Sequence, residues 1–105
     1  MYRSGVTRIL WRMRRIEKKL FALNDQIAAL ARDEALAQEE LIYHRHLHDD
    51  AARDAAVSDS PIDRADARET QGDVDRFERH IAKLRRSRLR LEAERDAYLK
   101  RLDTG

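Results

Sequence analysis

Large apolar residues fall at Val6, Ile9, Met13, Ile16, Leu20, Leu23, Ile27 and Leu30, spaced alternately three and four residues apart. That alternation is the a/d stripe of a heptad repeat, in which one side of an α-helix turns continuously toward a partner helix. The same frame runs on through Glu34, Ala37, Leu41, His44, His48, Ala51 and Ala55, where the seam positions become small or polar. No proline or glycine interrupts residues 6–57, so nothing local ends the helix. Ser4 can cap its start, and the pattern predicts helix 1 over about 4–57.

The segment Val57-Ser58-Asp59-Ser60-Pro61 carries the chain's turn signal. Ser60 suits an N-cap, Pro61 the first helical position, and Asp63 falls where a capping-box carboxylate answers the cap. A turn over 58–60 and a second helix over about 61–103 follow. Its frame reads Ala67, Thr70, Val74, Phe77, Ile81, Leu84, Arg88, Leu91, Arg95, Tyr98 and Leu102. Gly72 is a weak point, costing about 1 kcal/mol relative to alanine inside a helix.

At 1.5 Å per residue the helices would be roughly 75–80 Å and 60–65 Å long. So short a turn forces them antiparallel. Folding about Ser58–Asp59 opposes Leu20 to Tyr98, Ile27 to Leu91, Leu41 to Phe77, His44 to Val74 and Glu34 to Arg88. The expected fold is all-α: a single hairpin domain over 1–105, a long antiparallel two-helix coiled coil. Residues before about Ile16 would overhang helix 2, with Ile9, Leu10, Trp11 and Met13 apolar and unopposed. Phe21, Leu36, Ile42, Tyr43, Leu47, Leu89 and Leu99 also lie off the seam. So much apolar surface implies a partner, most simply a second copy that completes a four-helix homodimer through Ile9, Leu10, Trp11 and Met13.

Composition sharpens this picture. Charged residues make up 40% of the 105-residue chain and aromatics 6%, which suits a coiled coil or a disordered chain, and the periodicity selects the former. With no cysteine, disulfides, thiolate metal sites and cysteine nucleophiles are excluded. The longest apolar run, Ile27 to Ala31, is far short of a membrane span, and arginines interrupt the first twenty residues. These features lead to the expectation of a cytoplasmic protein. The preference for arginine over lysine and the many alanines suggest a bacterial source.

The net charge of +2 is divided unevenly: +6 over residues 1–32, −8 over 33–80 and +4 over 81–105. Antiparallel folding would bring both basic segments to the open end, so Arg8, Arg12, Arg14, Arg15, Lys18 and Lys19 are the expected contacts for a polyanion, either nucleic acid or an anionic membrane surface. The acidic tip, with Asp49, Asp50, Asp54, Asp59, Asp63 and Asp66 among its carboxylates, resembles in outline the arm of bacterial transcript-cleavage factors that probe the RNA polymerase channel. That resemblance implies a polymerase regulator as one alternative, although those factors also carry a globular docking domain with no counterpart in these residues.

His44 and His48 share a helix face at the spacing of helical zinc sites, with His46 and Asp49 close by in sequence. No HExxH motif accompanies them, and polar seam positions that set register account for the pair better than a metal site does. No phosphate-binding glycine loop or nucleophile–base pattern is present, and a two-helix rod lacks the concave site that acid–base chemistry needs. The expectation is a non-enzymatic scaffold or adaptor without metal, cofactor or small-molecule substrate, binding itself and an unidentified protein partner.

Overall fold

The computed structural model describes residues 2–104, with side chains from Gly5 onward. The chain forms an all-α helical hairpin of two helices, α1 (Tyr2–Ser58) and α2 (Pro61–Thr104), with no strand among the described residues. Helix α1 begins two residues before the expected start, which places Ser4 inside the helix; its side chain lies outside the described ones. Helix α2 runs one residue beyond the expected end, and Gly105 lies outside the described residues.

Each feature of the connection has a local cause. The Asp59 N–H still reaches back to the Ala55 carbonyl at 3.1 Å, closing the last turn of α1. Asp59 then adopts φ 48°, the left-handed conformation that stops a helix and that aspartate tolerates better than most residues. Its carbonyl and carboxylate both accept from Arg64 Nη1, at 2.7 and 2.6 Å. Ser60 Oγ accepts the Asp63 N–H at 3.3 Å, the N-cap expected of it. The Asp63 carboxylate does not complete a capping box. It accepts from the Ser58 hydroxyl, and Ser58 Oγ in turn accepts the Ser60 N–H at 3.3 Å. The cap is thus a short relay across both helix ends.

Contacts divide the chain into two compact units: residues 1–31 with 86–105, and residues 32–85. The 32–85 unit is the hairpin proper. Its core is Ala37, Leu41, Val74 and Ile81, flanked by Phe77 and Leu84. Within this core Glu34 is 9% exposed, and its carboxylate accepts from Arg85 Nε at 3.0 Å. Arg88 donates to Glu92 at 3.0 Å. In the other unit Ile16, Leu23 and Ile27 are buried on α1, while Leu91, Arg95, Tyr98 and Leu102 of α2 are half-buried. Every frame position of α1 from Ile16 to Ala55, and of α2 from Ala67 to Leu102, is buried or half-buried. The heptad reading therefore identifies the residues that pack.

Candidate functional site

No side chain among the described residues is fully buried, and fourteen large apolar side chains are exposed. In the 32–85 unit these include Leu36, Ile42, Tyr43 and Leu47. In the other unit Val6, Ile9, Leu10 and Met13 precede the first buried residue, Ile16, and Phe21 stands 70% exposed. A seam one residue wide can cover only the a and d positions, so whatever is apolar elsewhere on the helix meets solvent.

Ile9, Leu10 and Met13 share an exposed apolar side of α1, and Trp11 lines a groove of about 650 Å³ in the unit formed by residues 1–31 and 86–105. Arg12, Arg15, Lys18 and Lys19 line the same groove, above Ile16 and Ala22, and α2 contributes Tyr98 and Arg101. Of the six cations expected to meet a polyanion, four are brought together here, while Arg8 and Arg14 are not among the lining residues. The spacing explains the separation. Trp11, Arg15, Lys18 and Ala22 recur at four, three and four residues, a second helix face beside the seam. That periodicity is legible in the sequence, whereas the arrival of Tyr98 and Arg101 depends on the packing of α2.

Both aromatic rings of the groove carry a guanidinium over their faces. The Arg15 Cζ lies 4.9 Å from the centroid of Trp11, and the Arg101 Cζ 4.9 Å from that of Tyr98. No carboxylate lines the groove, and no ion pair involves any of its five cations among the described residues. Helix α1 therefore offers positive charge that its own fold does not neutralise.

The acidic tip is arranged differently. Arg64 pairs with Asp59 at 2.6 Å, Arg53 with Asp50 at 3.6 Å, and Arg76 with Asp73. A second, smaller groove of about 290 Å³ includes Asp50, Asp54, Asp63, Asp66 and Glu69 in its lining. Three of the tip's carboxylates, Asp50, Asp59 and Asp73, are thus met by nearby arginines.

The two seam histidines are occupied with packing. His44 stacks on Phe77, ring centroids 4.7 Å apart at 22°, and its Nε2 lies 3.9 Å from Glu40. His48 Nδ1 is 3.0 Å from Thr70 Oγ1, and that hydroxyl also lies 3.0 and 3.1 Å from the Asp66 and Ala67 carbonyls. A hydroxyl has one hydrogen to give, so when it goes to the carbonyls His48 is the donor through Nδ1. No group of three or more potential metal-ligating side chains occurs among the described residues, and no helix there is long and apolar enough to cross a membrane.

Comparison with protein-family models, with curated proteins and with solved structures finds no match to this chain.

Proposed function

We propose that this protein is a non-enzymatic helical scaffold that self-associates, most simply as a homodimer, and presents its exposed faces to a protein partner. The observation that supports this reading is the imbalance between core and surface. Among the described residues seven hydrophobic side chains are buried, and twice as many large ones are exposed. Exposed apolar patches of this kind mark association surfaces on soluble proteins. Pairing with a second copy would cover them at little cost in design, because helix faces of the same chain are already matched in length and pitch.

Ile9, Leu10 and Met13 are the proposed contact, being apolar, close together on α1 and exposed. Multi-angle light scattering tests the reading. The expected mass is twice the 12.4 kDa of one chain at tens of micromolar protein. A mass of one chain under those conditions refutes it.

A further inference from the structure

We propose that the groove between Trp11 and Tyr98 binds single-stranded nucleic acid, holding phosphates on its cations and nucleobases on its two aromatic rings. This site is separate from the proposed self-association contact, because Ile9, Leu10 and Met13 do not line it.

The charge argument comes first. Arg12, Arg15, Lys18, Lys19 and Arg101 converge on one groove with no carboxylate in its lining. In the tip Arg53, Arg64 and Arg76 are each matched by an aspartate, yet none of these five has an ion-pair partner among the described residues. Like charges held together in this way repel one another, and an incoming polyanion relieves that repulsion while releasing counterions.

Charge alone does not choose between polyanions, but the rings do. Trp11 is 60% exposed, and Arg15 lies over its face. Tyr98 carries Arg101 in the same way. A guanidinium laid on an aromatic ring makes a planar two-layer platform on which an unpaired base can stack. Duplex bases are already stacked and cannot use it. A lipid surface is disfavoured by shape: the groove is concave, its aliphatic floor is Ile16 and Ala22, and Ile16 is buried. A bilayer would instead meet the protruding Ile9, Leu10 and Met13 outside the groove. The volume of about 650 Å³ falls within the roughly 300–1,000 Å³ of ligand-sized pockets, which suits one or two nucleotides at a time.

Trp11 is the chain's one tryptophan, so its fluorescence reports directly on the groove. The experiment titrates the full chain with a short oligothymidylate at several salt concentrations. Parallel arms use the matching duplex, inorganic polyphosphate, and vesicles of phosphatidylserine and phosphatidylcholine. The expected result is quenching by the single strand with a log–log salt slope of roughly −2 to −3, as three or four phosphate contacts give at about −0.7 each. Arg101→Gln, at an exposed position, should reduce the magnitude of that slope by about 0.7. Tyr98→Leu removes a ring while keeping the seam apolar, and should weaken binding about tenfold with the slope unchanged. Far-UV circular dichroism confirms that both variants remain helical. Absence of quenching at low salt overturns the proposal. So does polyphosphate or duplex binding as tight as the single strand, a response to vesicles without one to the oligonucleotide, or full affinity in both variants.

Discussion

Replacing Leu41 with alanine tests the hairpin where its packing is best defined. Leu41 is 4% exposed, the lowest value among the buried side chains, and belongs to the cluster of Ala37, Val74 and Ile81. The substitution removes three carbons, worth about 0.8 kcal/mol each when buried, or about 2.4 kcal/mol in transfer alone. A residual cavity would add to that, but a seam open to solvent on both sides can relax or admit water more readily than an enclosed core. The expected loss is therefore about 2.5–3 kcal/mol, toward the lower end of the range for buried leucines. A domain of this size has a total stability of about 5–15 kcal/mol. The midpoint of thermal unfolding should accordingly fall by roughly 10–20 °C. The assay is urea and thermal unfolding followed by far-UV circular dichroism at two protein concentrations, which separates loss of the seam from loss of association. Leu36→Ala is the control: it lies on the same helix but is 61% exposed, and should change stability by no more than about 0.5 kcal/mol at the lower concentration. If the two substitutions cost the same, or Leu41→Ala costs less than about 1 kcal/mol, the seam described here does not hold the chain together.

Gly72 lies within α2, and a Cβ added there meets nothing within 4 Å, so Gly72→Ala should stabilise by about 0.5–1 kcal/mol, read as a higher unfolding midpoint. Ser60→Ala removes the oxygen that accepts the Asp63 N–H and should destabilise by about 1 kcal/mol; no change in urea midpoint would mean that the Ser58–Asp63 contact suffices as a cap. Leu10→Asp places a charge on the proposed self-association contact and should return the light-scattering mass to that of one chain without loss of helicity, because Leu10 lies outside the seam.

The periodicity of one face was enough to find both helices, their connection and every buried residue among those described, because the a/d stripe from Ile16 to Ala55 is interrupted only by substitutions that the seam absorbs. Glu34 is one of these, as are His44 and His48. Lateral detail was less legible. Pairing by counting back from the turn sets His44 against Val74, and in the structure its ring stacks on Phe77. Such an offset of about one turn arises because side chains lean toward the helix N-terminus, which a straight residue-to-residue register ignores. Trp11 is apolar and adjacent to Ile9, Leu10 and Met13, and its helical phase also aligns it with Arg15 and Lys18. Angular position is what finds the other α1 residues of the groove.

The two-residue connection, Asp59–Ser60, has a consequence in time as well as in space. Contacts beside it join residues close in the chain, such as Ser58 with Asp63 and Arg64 with Asp59, whereas the unit holding Ile16 and Tyr98 can close only across the whole of residues 32–85. Each doubling of a loop costs about 0.6 kcal/mol in closure entropy, so joining the outer unit first, across some fifty residues in place of two, costs roughly 3 kcal/mol more. Folding is expected to nucleate at the connection and propagate outward, each added layer shortening the loop that the next must close. Substitutions at Ser60 should then appear mainly as slower folding, and those at Ile16 or Leu23 mainly as faster unfolding, a division that stopped-flow kinetics would read directly.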